Sequence, residues 1–402
     1  MTNYINIKKL TPEKHLNQYN ELLRYAFQVT QKQLLDYGWE DDDIRQSKLP
    51  VLEKARVRGC FCRDKLASQF AVYPMKMNIF NQICKIGFIT SVATYPEYTG
   101  MGLMSKLMRK SLEEMRELGE NLAILYPFSI PLYRHRGWEI IADKMTFRIK
   151  DSQLPQNISS SGYVLRVDKD NREFKLLHNT FAAQTHGCLM RNDLAWEEYW
   201  RWAEDDTNVA VYYDNTSTPQ GYIVYLIKDN IMFIKEMIYL THDARKGLWR
   251  YISAHESMIN EVQGNNYSSE PIAFSLEDSD IKETIRPYIM GRIVDVINFL
   301  NEYRFAIIEK PTSLTIKVTD PFLEWNNHTF LIDISADGRA KASLCDLKPD
   351  FELGIGTLTS MLMGYKSAQY LAKIERLSVN TGKLEILNRI IRKEKAYISD
   401  YI

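Results

Sequence analysis

The sequence predicts an α+β protein built from two tandem, similar units and a third α+β domain. Three observations carry this reading. At ~150 residues per domain, the 402-residue chain is too long for one hydrophobic core. A strand, glycine-turn and helix segment at residues 88–108 recurs without a gap at 233–253. From about residue 291 the texture changes to a short helix, several turn-separated strands and two closing helical stretches.

Composition narrows the function classes. Hydrophobic residues at 45% and charged residues at 25% fit a folded globular chain and exclude disorder as the main state. Lys+Arg and Asp+Glu balance at 51 each, so no global field collects nucleic acid or an anionic membrane surface. No stretch approaches the ~18 apolar residues of a membrane helix, and MTNYINIKKL lacks a secretory apolar core, so a cytoplasmic location is expected. Cys60, Cys62, Cys84, Cys188 and Cys345 form no C-x-x-C pair, and His135, His242 and His255 form no cluster with metal spacing. Neither a disulfide framework nor a metal is expected.

The elements follow in chain order. A strand in NYINIKKL leads to a helix with Thr11 as cap and Pro12 at its first position, where Leu16, Tyr19, Leu22, Leu23 and Phe27 recur at helical spacing. Residues 56–89 alternate as an antiparallel meander broken at Arg63-Asp64 and Asn81-Gln82; Cys60 and Cys62 share one strand face, where packing is the expected role. An apolar run then ends at Pro96, a turn carries Gly100 and Gly102, and Leu103, Leu107, Met108, Leu112 and Met115 mark an amphipathic helix that Gly119 ends. NLAILYPFSIPLYRHRGWEII adds a strand, a Pro-flanked break, a short helical turn and another strand, closing a unit over 1–150. The second unit spans 151–290 and the third 291–402. In the third, Ile293, Val296, Ile297 and Leu300 share a helical face, turns fall at Asn326-Asn327 and Asp337-Gly338, and helices close the chain at 357–374 and 383–397.

The glycine turn carries the chemistry. A helix start behind two glycines gathers unpaired N–H groups at the positive end of the helix dipole, where a phosphate fits. A Walker loop needs Lys after the second glycine, and Leu103 stands there; a dinucleotide loop needs a third glycine where Ser105 stands. The pyrophosphate loop of acetyl-coenzyme A N-acetyltransferases remains, beside a chance turn of the same shape. In the repeat, Gly100 is matched by Arg245, so the first unit is expected to bind coenzyme and the second not.

SVATYPEYTGMG and LYRHRGWE, with Tyr133 before Gly137-Trp138, resemble the GCN5-related N-acetyltransferases. With ARKGLWRYI, MGRIVDV and TSMLMGYKSAQYLA, the whole chain resembles the enhanced intracellular survival (Eis) family of N-acetyltransferases. That resemblance implies tandem acetyltransferase folds, catalytic over 1–150 and degenerate over 151–290, and a sterol-carrier-like domain over 291–402. It implies acetyl-coenzyme A as cosubstrate, primary amines of polyamines or aminoglycosides as acceptors, and a homo-oligomer, the hexamer. Tyr133 would protonate the leaving thiolate, and the main-chain carboxylate of Ile402 would act as base. Val92 would stabilise the oxyanion, with Thr94 also pairing the pantetheine arm; Thr99, Gly100, Gly102, Leu103 and Met104 would hold the pyrophosphate. Glu97 departs from the loop's usual Arg or Gln, and Ile402 from the aromatic residue that ends relatives.

Acceptor recognition is expected at Trp39, beside the acidic run Glu40–Asp43, and at Asp400; a solvated helix cap accounts for the same acidic run. Two other readings stay open: protein lysine as acceptor, and a non-enzymatic carrier of an apolar ligand in the third domain.

Overall fold

The computed structural model describes residues 5–36, 38–268, 270–380 and 382–401. Its centre is one 13-stranded sheet shared by the first two units. Strands Ile5–Lys9, Arg56–Cys62, Lys65–Ile79, Gln82–Thr94 and Leu122–Leu125 run side by side, and the sheet continues through Lys282–Ile293 before it reaches Glu139–Lys150. Beyond that lie Glu261–Asn266, Ile231–Tyr239, Pro219–Lys228, Asn208–Tyr213 and Tyr163–Val167. The strand 282–293, which closes the second unit in sequence, is therefore inserted into the sheet of the first. The expected 290/291 boundary cuts this strand, because Met290 to Ile293 pair with Leu122–Leu125.

The predicted hairpins form at Arg63 and Asn81, both with positive φ (58° and 69°). Helix Leu103–Glu117 buries Leu103, Leu107, Met108, Leu112 and Met115 against the sheet, each worth roughly 1.5–3 kcal/mol. Helix Pro12–Ala26 starts where expected, but the Thr11 hydroxyl makes no capping bond; instead the Thr11 N–H donates to His15 Nδ1 at 2.9 Å.

The repeat holds in its strand and fails in its helix. Residues 95–102 separate strand 82–94 from helix 103–117, whereas only Leu240 and Thr241 separate strand 231–239 from helix His242–Ser253. Gly247 therefore does not match Gly102. It lies inside a helix, where a Cβ would overlap the Tyr212 ring.

The third domain is a five-stranded sheet ordered Ala340–Leu344, Thr329–Ile334, Thr312–Thr319, Phe351–Gly354, Leu377–Val379. The helix expected at 357–374 divides into Ile355–Leu362 and Ala368–Lys373 around Gly364 at φ 72°. Every residue of helix 355–362 is buried, and Thr359 Oγ1 accepts the Ile293 N–H at 3.0 Å, so this helix is committed to the seam with the shared sheet. The last expected helix stops at Ile390. From there the chain runs without helix back to the first two units, because its contacts are made by single residues along an extended tail.

Candidate active site

The sheet opens at one point. Strands 82–94 and 122–125 pair in parallel from Ile86–Leu122 to Ile89–Leu125 and then part. On its other side strand 82–94 stays paired, but the register slips from Ala71–Thr90 to Gln69–Ala93, so Ser91 and Val92 together oppose Phe70. This is a β-bulge, with Ser91 held at φ 54°. Ser68 Oγ pins it through the Ala93 carbonyl at 3.0 Å and Thr94 Oγ1 at 2.7 Å. The wedge leaves the edge of Val92 and Thr94 open to an extended ligand.

The glycine turn follows directly. The Thr99 N–H donates to the Pro96 carbonyl at 3.0 Å, so the donor expected from Thr99 is already taken. Gly100 and Gly102 have φ of 84° and 71°, a region few side chains tolerate, and the space outside both is open. Gly102 caps helix 103–117, whose first N–H groups have no intrahelical acceptor. Arg136 stands beside that first turn: its Nε and Nη2 donate to Ser105 Oγ at 3.1 and 3.0 Å, and its Nη1 to the Leu132 carbonyl at 2.7 Å. Arg136 thus brings a cation from the Tyr133 loop to the helix start, where Glu97 supplies none. Sequence reasoning missed Arg136; the only signal was that deficit.

The second copy is filled at the corresponding helix start. Thr241 Oγ1 accepts the Ala244 N–H at 3.1 Å. The Asp243 carboxylate accepts from Tyr212 Oη at 2.5 Å and from Ser161 Oγ at 2.7 Å. An internal anion occupies the positive end of that helix.

Tyr133 lies in the short helix Ile130–Arg134, buried in the same apolar cluster as Leu103, with Val92 and Met104 packed against it. Its ring meets Trp138 edge-on at 6.0 Å. Burial pushes its hydroxyl up to about 12. Gly137 follows at φ 81°, and the buried Arg292 of MGRIVDV fills the space a Cβ would need. Arg292 donates to the Arg136 carbonyl and pairs with Asp320 at 2.6 Å.

The chain end arrives at the wedge. The Tyr397 N–H donates to the His186 carbonyl at 2.8 Å. Asp400, 1% exposed, accepts from Arg191 Nε at 2.7 Å, while Arg191 also holds Glu236 through two bonds at 3.0 and 2.8 Å. The expectation that Asp400 faces an acceptor ammonium is therefore corrected: it is buried and anchors the tail. Burial, aided by Glu236, outweighs Arg191 and lifts the Asp400 carboxyl above its ordinary range. Next in the chain, Tyr401 meets Tyr126 edge-on at 5.0 Å, just past the end of strand 122–125. Ile402, the expected base, lies outside the described residues.

Two cavities meet at Tyr401, Glu198 and Trp202. The smaller, about 290 Å³, includes Thr90, Ser91 and Trp39; the larger, about 930 Å³, opens between the first two units over their shared sheet. Trp39 stacks on Trp202 at 5.8 Å and forms part of the smaller cavity's wall. The acidic run does not: all four acids are exposed, Asp43 caps the Glu40 N–H at 3.0 Å, and among the described residues none of them lines either cavity. Here the solvated helix cap is what the geometry supports.

Comparison with known proteins extends the reading to the whole chain. Acetyltransferase (GNAT) domain families match residues 6–141 and 187–293, and a sterol carrier protein domain matches 296–399. The N-acetyltransferase Eis of Mycobacterium tuberculosis H37Ra is 22% identical over 330 residues, covering 78% of both chains. The solved structure of Eis1 from Mycobacterium abscessus superposes on this chain with a TM-score of 0.82 at 16% identity, over 99% of this chain and all of that one. The chain is a GNAT-type N-acetyltransferase, similar to Eis over most of its length. An uncharacterized N-acetyltransferase of Streptomyces griseus is 21% identical over 371 residues, covering 85% of this chain and 88% of its own. A protein of Enterococcus faecalis V583, described as a probable N-acyltransferase, matches this chain with a TM-score of 0.90 at 25% identity, over 99% and 100% of the two chains. Among the described residues, no helix is long and apolar enough to cross a membrane.

Proposed function

We propose that the first unit moves an acetyl group from acetyl-coenzyme A to a primary amine of a small molecule bound in the double cavity. One observation carries this: the strand wedge past Ile89 and Leu125, the glycine turn and Tyr133 share one apolar cluster, with Tyr401 at the mouth. In this reading the pantetheine arm lies along Val92 and Thr94 like an added strand. The amides of Gly100 to Met104, with Arg136, receive the pyrophosphate. The second unit binds no coenzyme, because Asp243 and Thr241 already satisfy its helix start.

The amine attacks the thioester carbonyl directly, with both groups held in line. Val92 N–H is the donor assigned to the tetrahedral oxyanion. As the carbon–sulfur bond breaks, Tyr133 gives its proton to the thiolate; a hydroxyl held near 12 stays protonated at neutral pH and returns to that state readily. The ammonium proton goes to the base that the family resemblance implies, the main-chain carboxylate of Ile402, which lies outside the described residues; a carboxylate serves as that base only where water is excluded or relays the proton. Polyamines and aminoglycosides are the family-implied acceptors to assay first, and light scattering tests the implied hexamer. Tyr133→Phe tests the mechanism: thiol release falls ~10²–10⁴-fold while coenzyme affinity stays within about twofold. An unchanged rate assigns the proton to another group.

A further inference from the structure

The larger cavity carries a charge pattern that a polycation does not match. Its lining acids are all neutralised: Glu198 by Lys48 at 3.1 Å and Arg201 at 2.8 Å, Glu236 by Arg191, and Glu204 by Lys228 at 3.0 Å. Its lining cations are not. Lys144, Lys235 and Arg286 make no ion pair among the described residues, and Arg148 reaches only Glu261, at 3.9 Å.

The placement of these cations is itself unfavourable without an anion. Arg286 lies directly opposite Lys144 on antiparallel strands, and four residues along, past the Thr284–Thr146 pair on the same face, Lys282 lies opposite Arg148, with no acid between them on that face. Like charges directly opposite on one face of a sheet repel. Aromatic faces keep the two ammonium groups in place: Lys144 Nζ is 5.7 and 5.6 Å from the Tyr267 and Tyr288 ring centres, and Lys235 Nζ is 3.8 Å from that of Tyr199. Burial lowers Lys235 to about 8, which leaves it largely charged at neutral pH.

We propose that the acceptor is an amine that also bears an anionic group, a carboxylate or phosphate, and that Lys144, Lys235 and Arg286 hold that group while the amine faces Tyr401. The proposal rests on the reading that this cavity admits the acceptor. It deepens that reading and replaces the polycation with an amine-bearing anion.

The test uses the full-length chain, acetyl-coenzyme A and four primary amines of equal chain length: an ω-diamine, an ω-amino alcohol, an ω-amino carboxylate and an ω-aminoalkyl phosphate. Expected is a kcat/KM roughly tenfold or more above the diamine for one or both anionic members. Lys144→Gln with Arg286→Gln removes that preference through KM, changes the amino alcohol less than about threefold, and keeps Tm at or above the parent because cross-strand repulsion is relieved. A diamine preference, or an equal loss for all four amines in the variant, overturns the proposal. Calorimetry with the matching alkyl carboxylate and alkyl phosphate separates the two levels of the reading. Anion binding lost in the variant, with no thiol released from any amine, supports the anion site and refutes the transferase reading of this cavity. No anion binding to the parent chain refutes the site itself.

Discussion

Gly137 and Arg292, one from each of two sequence motifs, occupy a single space: the guanidinium lies where a Cβ on Gly137 would have to stand. The same guanidinium bonds the Arg136 carbonyl and pairs with Asp320, so the loop carrying Tyr133 is clamped by the strand that returns from the second unit. Gly137→Ala adds both a left-handed alanine and a clash with a fully buried side chain. We expect a loss of ~2–4 kcal/mol in thermal unfolding and a fall in thiol release larger than any change in coenzyme affinity. A variant with parental Tm and rate would show that the clamp yields without consequence.

Arg136 donates to Ser105 at the helix start, beside the turn that lacks a cation at Glu97. Replacing it with Ala is expected to weaken coenzyme A binding roughly tenfold by calorimetry, with Lys recovering part of the loss. The KM for the amine should not move. Unchanged coenzyme affinity would return the whole phosphate task to the backbone amides.

Local periodicity made much of this site legible. The stripe from Leu103 to Met115 and the hairpin turns at Arg63 and Asn81 are set by neighbours in sequence, and they stand where spacing puts them. Strand 282–293 was not legible as part of the first unit: its pattern is that of any half-buried strand, and its place between 122–125 and 139–150 is decided by tertiary packing. Asp400 misled for a related reason. A carboxylate near a chain end reads as solvated, and the arginine that buries it is 209 residues away. The gapless repeat misled because aligned apolar residues survive a shortened turn that removes the phosphate site.

Arg191 carries two carboxylates, Glu236 and Asp400, in an interior where none of the three is more than 3% exposed by side chain. Arg191→Met strands both, and a broken buried pair costs ~3–5 kcal/mol. Because one of the two ties down the tail, the variant should also become open to carboxypeptidase at 391–401 before it unfolds. Asp400→Asn keeps a hydrogen-bonding shape and should cost much less. Equal Tm losses in the two variants would place the anchor elsewhere.

Two buried histidines set the acid limb of stability. His178 bridges Tyr222 Oη at 2.9 Å and the Leu189 carbonyl at 3.0 Å, and burial, with Arg191 nearby, lowers it to about 3 from an ordinary 6.5. His186 stacks on Phe80 at 3.7 Å and lies 3.2 Å from the Met363 carbonyl, joining all three domains; burial lowers it to about 4. Both have folded values below the unfolded one, so as pH falls through 6.5 the unfolded chain takes up protons that the folded chain refuses. Their contribution is complete above 6.5 and is lost toward 4 and 3, with a slope of ~1.4 kcal/mol per pH unit for each histidine. Below 4.5 the depressed Glu198 and Glu236 add losses of the same sign. Denaturant melts between pH 7 and 5 should therefore move steadily to lower midpoints, and His178→Gln with His186→Gln should flatten that dependence even where it lowers stability overall. A pH-independent midpoint across that window in the parent chain would mean that one or both rings accept a proton without unfolding.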